Sequence, residues 1–190
     1  MTLPSATKTL KATSSLVTID ASGAGSAINL TGNKKNNYLV AGAKGSTVSG
    51  GAGNDTLVGG SGKDSLLGGN GKDSLYGGSG NDILKGGAGA DSLWGGAGND
   101  SLYGGSGNDV FIYKPGEGTD KIFDYASGDM LQILKSNGKT GGTFKSSKYS
   151  GGDLTLTING GGTVIFDNVS KGDKFNINGK TYTLSGTKLK

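Results

Sequence analysis

The chain contains no cysteine and no histidine, and all nineteen of its basic residues are lysine. These absences exclude a disulfide framework, the usual zinc ligands and a histidine general base, so most hydrolase active sites cannot be built. No apolar run is long enough to span a membrane, and Met1–Leu16 lacks the apolar core of a signal peptide. We therefore expect a non-enzymatic chain with no membrane span, whose export would need another signal.

Aromatic residues make up only 7% of the 190 residues, whereas glycine occurs 40 times. Such a composition leaves little material for an ordinary globular core, so the fold needs a further source of stability. Residues 50–113 contain seven Asp and three Lys, a net charge of −4, although the whole chain carries +4. The remainder therefore carries +8, and an acidic centre lies between basic flanks.

The acidic centre is one nine-residue phrase written seven times without a gap, as in Gly50-Gly51-Ala52-Gly53-Asn54-Asp55-Thr56-Leu57-Val58. We number its positions one to nine from the first glycine. Position six is always aspartate, at Asp55, Asp64, Asp73, Asp82, Asp91, Asp100 and Asp109. Position eight is always apolar, at Leu57, Leu66, Leu75, Leu84, Leu93, Leu102 and Phe111.

The glycine-rich head of each phrase predicts a tight turn, and the tail predicts a very short strand. Within the tail, position eight points opposite to its neighbours, which sends the leucines inward. One inward residue per strand builds no core alone, but stacked coils align the leucines into a ladder. Two turns close one coil, so a coil has eighteen residues. The sequence therefore predicts a parallel β-solenoid.

In this solenoid, aspartates eighteen residues apart lie above one another in two columns, one on each edge. Parallel strands lie about 4.8 Å apart, and carboxylates at that spacing repel strongly unless a cation lies between them. Ca²⁺ takes roughly 6 to 8 oxygens at ~2.3 to 2.6 Å and fits this gap, with carbonyls of the glycine turns as further ligands. We expect calcium-dependent order, and disorder without calcium. The alternative, a disordered linker-like tract, does not need an apolar residue at every ninth position.

The phrase Gly-Gly-x-Gly-x-Asp-x-Leu-x resembles the repeats-in-toxin (RTX) nonapeptide. The resemblance covers about a third of the chain. It implies an all-β, right-handed parallel β-roll with Ca²⁺ between successive turns on each edge, in bacterial proteins exported by type I secretion. It further implies that one turn supplies the carbonyls of positions two and four and its aspartate, and that the turn eighteen residues further on supplies those of positions one and three and its aspartate.

Carried over residue by residue, the resemblance implies five complete calcium sites. These are Gly51, Gly53 and Asp55 with Gly68, Asn70 and Asp73; Gly60, Gly62 and Asp64 with Gly77, Ser79 and Asp82; Gly69, Gly71 and Asp73 with Gly86, Ala88 and Asp91; Gly78, Gly80 and Asp82 with Gly95, Ala97 and Asp100; and Gly87, Gly89 and Asp91 with Gly104, Ser106 and Asp109. One or two end sites would be Gly96, Gly98 and Asp100 with Glu117 and Asp120, and Gly105, Gly107 and Asp109 with Asp129.

The flanks divide the chain into three predicted parts: an N-terminal cap with degenerate repeats at 1–49, the seven calcium-binding repeats at 50–113, and degenerate repeats with a β cap at 114–190. Strand-like pieces occur at Lys8–Leu10 and Ser15–Ile19. Leu30, Leu39 and Val48 extend the apolar column, while Ile28, Asn37 and Ser46 replace the aspartate. Antiparallel strands are predicted at Asp153–Ile158, Thr163–Phe166, Lys174–Ile177 and Thr181–Leu184, with hairpin turns at Asn159-Gly160 and Asn178-Gly179.

Two surface features allow other interpretations. Val58, Tyr76 and Trp94 recur at eighteen-residue intervals on one face, where they can stack on sugar rings or simply pack on each other. Basic flanks can attract nucleic acid or an anionic polysaccharide, although scattered lysines usually serve solubility. The acidic residues Glu117, Asp120 and Asp124 form no cleft for a glycosidase pair, and calcium ligation accounts for them better.

The leading hypothesis is a non-catalytic, calcium-binding and calcium-folded module of a secreted or cell-surface bacterial protein, monomeric when isolated, with no nucleic-acid partner. The first alternative is an adhesive or polysaccharide-binding module that uses the lysine and aromatic faces, above all Tyr76 and Trp94. The second alternative is an accessory module of a larger secreted enzyme.

Overall fold

The computed structural model describes residues 8–15 and 17–190, and within these residues every regular element is a β-strand. The predicted lack of a signal-peptide core rests largely on 1–7 and Leu16, which lie outside the described residues. The strands are β1 (Lys8–Lys11), β2 (Thr18–Asp20), β3 (Ile28–Thr31), β4 (Tyr38–Val40), β5 (Thr47–Ala52), β6 (Thr56–Ser61), β7 (Ser65–Asn70), β8 (Ser74–Ser79), β9 (Ile83–Ala88), β10 (Ser92–Ala97), β11 (Ser101–Ser106), β12 (Val110–Tyr113), β13 (Thr119–Ile122), β14 (Met130–Ile133), β15 (Phe144–Ser150), β16 (Asp153–Ile158), β17 (Thr163–Phe166), β18 (Lys174–Ile177), β19 (Lys180–Ser185) and β20 (Lys188–Leu189).

The described strands form two sheets of ten, and strands β1 to β14 alternate between the two sheets. One sheet has the order β1-β3-β5-β7-β9-β11-β13-β17-β16-β15, and the other has β2-β4-β6-β8-β10-β12-β14-β18-β19-β20. Strands β1 to β14 pair in parallel, two to a coil, so fourteen strands make seven coils. The predicted all-β parallel solenoid with an antiparallel C-terminal end is confirmed.

The apolar ladder forms the interior of the solenoid. Leu66 pairs with Leu84 and Val48 with Leu66, in the eighteen-residue register that the repeat predicts. Each position-eight residue is at most 2% exposed: Leu57, Leu66, Leu75, Leu84, Leu93, Leu102 and Phe111. Leu30, Leu39 and Val48 are equally buried, so the degenerate repeats continue the same core.

The strands of the regular repeats are longer than predicted. Strand β6, for example, runs on through Gly59 and Gly60 to Ser61, so the two leading glycines belong to the strand and only positions four to six turn. Gly60 pairs with Gly78 in the sheet despite a φ of 111°, a conformation that glycine adopts without steric cost. The expectation of a whole six-residue turn was therefore wrong for the first three positions.

The coils after residue 113 keep the stack but change its register. Val110 pairs with Met130 and Ser101 with Lys121, a spacing of twenty residues in place of eighteen. The two inserted residues are absorbed in the turns, and β13 and β14 remain in their sheets. The degenerate repeats directly after residue 113 thus continue the parallel stack of the solenoid.

The C-terminal segment closes this end of the stack. Strands β17 and β18 pair in parallel with β13 and β14. On its other side, each of them pairs with the other strand of an antiparallel hairpin, β16 for β17 and β19 for β18. The predicted turn at Asn178-Gly179 joins β18 and β19, with φ of 51° and 78°, and the turn at Asn159-Gly160 joins β16 and β17. The sequence did not predict β15 or β20, which lie on the outer edges of the two sheets.

Candidate metal-binding site

The aspartates lie where each turn enters the next strand, and they form two columns along the edges of the solenoid. One column is Asp55, Asp73, Asp91, Asp109 and Asp129, and the other is Asp64, Asp82, Asp100 and Asp120. We call the space between two stacked turns a gap and name it by its column residues, as in the 55/73 gap. All nine aspartates are only 1–2% exposed. The structure therefore brings together the predicted position-six residues, including those of both end sites.

One carboxylate oxygen of each aspartate binds the coil below. Asp73 Oδ1 accepts the backbone N–H of Asp55 at 2.7 Å, and Asp91 Oδ1 accepts that of Asp73 at 2.8 Å. The same contact joins Asp109 to Asp129 at 2.9 Å. Each column is thus linked by side-chain to backbone hydrogen bonds that the sequence reasoning did not foresee.

The other carboxylate oxygen is buried without a hydrogen-bond partner. This holds for Oδ2 of Asp55, Asp64, Asp73, Asp82, Asp91, Asp100, Asp109 and Asp120. A buried carboxylate oxygen without a partner is costly, because a charged acceptor loses its water and gains nothing in exchange. In Asp129, by contrast, Oδ2 accepts the Ala126 N–H at 2.8 Å, so the last member of its column is satisfied within the protein.

Burial also makes it unfavourable for the column aspartates to carry their charge. Burial raises the pKa of Asp64 to about 7 and that of Asp91 to about 6, and the backbone N–H that each accepts opposes the rise only in part. Burial likewise raises the pKa of Asp120, and the neighbouring Asp100 carboxylate raises it further. Without a cation, burial thus makes these carboxylates bind a proton more readily than an exposed aspartate does.

Backbone carbonyls from both flanking turns approach each gap. From below, the carbonyl oxygens of Gly51 and Gly53 lie so close to Gly69 and Gly71 that a Cβ on either glycine would collide with them. From above, the position-three carbonyl of Asn70 accepts the Gly53 N–H at 2.9 Å. The position-one carbonyl of Gly86 would lie 2.6 Å from a Cβ on Gly68. The donor set is therefore carboxylate and carbonyl oxygen, which suits a hard cation such as Ca²⁺.

No cluster of three or more His, Cys, Asp or Glu side chains occurs among the described residues. Each gap offers two carboxylates, and the backbone must supply the remaining oxygens. These residues fit Ca²⁺ better than Zn²⁺, which prefers nitrogen and sulfur ligands.

The degenerate turns keep the column but fill it differently. Asn37 and Ser46 are buried at position six, and their N–H groups bind Asp55 and Asp64. The Ser46 hydroxyl donates to the Lys44 carbonyl at 2.7 Å, and the Asn37 carboxamide oxygen accepts the Asn33 N–H at 2.7 Å. Ile28 occupies the same position as a buried apolar residue. In these degenerate turns, protein groups thus form hydrogen bonds with the polar side chains at position six. In the regular turns, one oxygen of the position-six aspartate has no such partner.

Position five contains a contact that the sequence reasoning missed. The carboxamide oxygen of Asn54 accepts the N–H of Lys72, and that of Asn81 accepts the N–H of Asn99, both at 2.9 Å. Asn36 and Asn99 make the same contact with the coil above. The recurring Asn before Asp in the sequence was the available signal.

Glu117 and Asp124 form no acid pair with each other. The Glu117 carboxylate accepts the indole N–H of Trp94 at 2.9 Å and the Lys114 N–H at 3.0 Å. The Asp124 carboxylate accepts the N–H groups of Gly104 and Gly105. Both carboxylates thus bind residues of a neighbouring strand, β10 for Glu117 and β11 for Asp124. The Glu117 carbonyl, which accepts the Gly98 N–H, lies at the predicted position three.

The aromatic stripe packs on itself. The rings of Tyr76 and Trp94 lie 5.0 Å apart and are tilted by 54°, and Trp94 is held by Glu117. Tyr76 is 39% exposed. The structure does not test carbohydrate binding, so the role of these two residues in glycan recognition stays a prediction.

Comparison with known proteins adds three findings. The family model of the RTX calcium-binding nonapeptide repeat (4 copies) matches residues 49–84 and 76–111. The extracellular lipase LipA from Serratia marcescens has a similar structure over 76% of this chain, with a TM-score of 0.42 and 15% sequence identity, and the match covers 38% of the lipase. No curated protein matches the sequence significantly. In the described part of the chain, no helix has the length and apolar character needed to cross a membrane.

Proposed function

We propose that this chain is a non-catalytic module of a secreted bacterial protein that folds when it binds Ca²⁺, because residues 49–84 and 76–111 match the family model of the RTX calcium-binding nonapeptide repeat. The observation that carries the proposal is the pair of aspartate columns with eight buried carboxylate oxygens that no protein group satisfies. Calcium in the gaps satisfies these oxygens and cancels the repulsion along each column.

We assign one ion to each of the 55/73, 64/82, 73/91, 82/100 and 91/109 gaps. The 100/120 gap is a sixth candidate, because Asp120 Oδ2 is also unpartnered. The 109/129 gap is a weaker candidate, because Ala126 already binds Asp129 Oδ2. Sites in extracellular calcium modules have dissociation constants of about 10⁻⁴ to 10⁻³ M, so the chain stays unfolded in a calcium-poor cytosol and folds outside.

The proposal is tested by a calcium titration of the full chain, followed by circular dichroism, with Mg²⁺ as the control and bound ions counted in parallel. The expected result is a cooperative gain of β structure that is specific to Ca²⁺, with about five or six ions bound. A β signal that a chelator leaves unchanged would refute calcium-coupled folding.

The substitution Asp82→Asn tests the assignment of the columns. It keeps an oxygen that can accept the Asp64 N–H but removes a charge shared by the 64/82 and 82/100 gaps. We expect up to two fewer ions and a higher calcium midpoint. Asp20→Asn is the matched control, because Asp20 is exposed and lies outside the columns. Equal ion counts for both variants would contradict the assignment.

A further inference from the structure

The gaps between turns are not equivalent, because only some of them are bridged by an asparagine at position five. In the 55/73 gap, Asn54 of the lower turn accepts the N–H of Lys72 in the upper turn, while Asp73 of the upper turn accepts the N–H of Asp55 in the lower turn. The two contacts run in opposite directions across the same gap. We call this reciprocal pair the Asn clamp.

The clamp is present in some gaps and missing in others. The 82/100 and 100/120 gaps have it through Asn81 and Asn99. The 64/82, 73/91 and 91/109 gaps have Lys63, Lys72 and Ala90 at position five of the lower turn. Lysine and alanine side chains carry no acceptor oxygen, so these gaps have the aspartate contact but lack the asparagine contact.

The clamp acts next to the proposed ligands. Asn54 lies between Gly53 and Asp55, which are two of the ligands assigned to the 55/73 gap. Lys72, whose N–H it accepts, directly precedes a third ligand, Asp73. A hydrogen bond at this point fixes the height of the upper turn over the lower one, and therefore the distance between the oxygens that face the ion. The clamp therefore adds one contact when the two turns order around the ion, and this contact offsets part of the conformational entropy lost on binding.

We propose that asparagine at position five is a positioning residue that sets the order in which the gaps take up calcium. This inference rests on the proposed function. Among the five gaps that are each assigned an ion, the clamped 55/73 and 82/100 gaps bind Ca²⁺ first, and the unclamped 64/82, 73/91 and 91/109 gaps follow; the clamped 100/120 candidate belongs with the early group. Because 55/73 and 82/100 lie on opposite edges, each edge has its own starting point for calcium-driven folding.

The test uses the full chain labelled for NMR, titrated with calcium alone, so that backbone amides report each gap separately. In the unmodified chain, amides around the 55/73 and 82/100 gaps should respond at the lowest calcium. Asn54→Ala should raise the midpoint of the 55/73 gap by roughly threefold to tenfold, the effect of losing one net hydrogen bond, and should abolish exchange protection of the Lys72 amide. The 82/100 gap should still respond early.

Two further variants keep the test decisive. Ala90→Asn adds an acceptor below Asn108 and should lower the midpoint of the 91/109 gap by a similar factor. Asn29→Ala, on the outer face of β3, is the matched control and should preserve the order. Simultaneous response of all gaps in every variant, or equal midpoints for Asn54→Ala and Asn29→Ala, overturns the inference. A missing calcium response in the unmodified chain refutes the proposed function instead.

Discussion

The first glycine of each phrase lies beneath the aspartate of the same phrase. A Cβ on Gly68 would collide with Asp73 Oδ2 and lie 2.6 Å from the Gly86 carbonyl oxygen. The φ of this glycine is not positive, so its conformation alone would allow another residue. The constraint on position one is therefore space for the carboxylate.

Gly68→Ala should consequently destabilise the calcium-loaded solenoid. The methyl group must displace either the carboxylate or a backbone carbonyl, and overpacking of this kind costs about 1–3 kcal/mol. The measurement is the free energy of unfolding in urea at saturating calcium. Gly25→Ala is the control, because nothing lies within 4 Å of a Cβ there. Equal stability of the two variants would show that the gap accommodates a side chain.

At the residue scale, the sequence predicted the aspartate columns because a fixed nine-residue period, with two repeats to a coil, places every second aspartate on the same edge. It did not predict how the two oxygens of each carboxylate are used, since that depends on the height of one coil above the next. The Asn54 contact was missed for the same reason. Position five varies among Asn, Lys and Ala, and only stacking shows that its side chain meets the N–H of the coil above.

At the scale of elements, Tyr125 connects the last coil to the C-terminal hairpin. Its hydroxyl donates to the Asp129 carbonyl at 2.8 Å and accepts the Asn176 N–H at 3.0 Å. Its ring stacks on Phe175 at 5.5 Å and meets the edge of Phe166 at 4.9 Å. One side chain thus joins the turn before β14 to both terminal hairpins.

Tyr125→Phe should therefore loosen the C-terminal end while keeping the ring in place. Loss of the hydroxyl leaves a part-buried carbonyl and an N–H with fewer partners, at a cost of about 1–3 kcal/mol. Faster amide exchange in β18 and β19 would report the loosening. Tyr38→Phe serves as the control, because Tyr38 is 48% exposed. Unchanged exchange in β18 and β19 would mean that aromatic packing alone holds the hairpins.

The strands show where sequence patterns suffice and where they fail. Alternating residues and an Asn-Gly turn predicted β18 and its hairpin, because local chemistry decides both. The six-residue strands of the repeats were underestimated, because glycine is a poor strand residue unless a neighbouring backbone approaches it closely. The backbones of Gly51 and Gly69 approach each other in this way, but only once the coils stack.

At the scale of the whole molecule, charge separates the coils from the flanks. Residues 50–113 carry −4 within a chain of +4, and their aspartates are buried in columns. The folded chain without metal therefore holds like charges in poor contact with water. Either bound calcium or bound protons can neutralise these buried carboxylates. The two cases differ in how the stability of the fold changes with pH.

Without calcium, the solenoid should be more stable in acid than at neutral pH. Burial raises the folded-state pKa of the column aspartates above 3.8, to about 6 for Asp91 and about 7 for Asp64. A raised folded-state pKa contributes stability that is complete below the unfolded pKa near 4 and is lost as pH rises through the folded value. In chelator, circular dichroism should thus show β structure near pH 4 that disappears between about pH 4 and 7.

Calcium should reverse this dependence, because protons compete with the ion for the same carboxylates. At a fixed, sub-saturating calcium concentration, β structure should increase from about pH 5 to 7.5 as the columns ionise. Asp82→Asn should weaken both trends, whereas Asp20→Asn should leave them unchanged. A chelator-treated chain whose β signal rises with pH would show that interactions other than the aspartate columns govern folding.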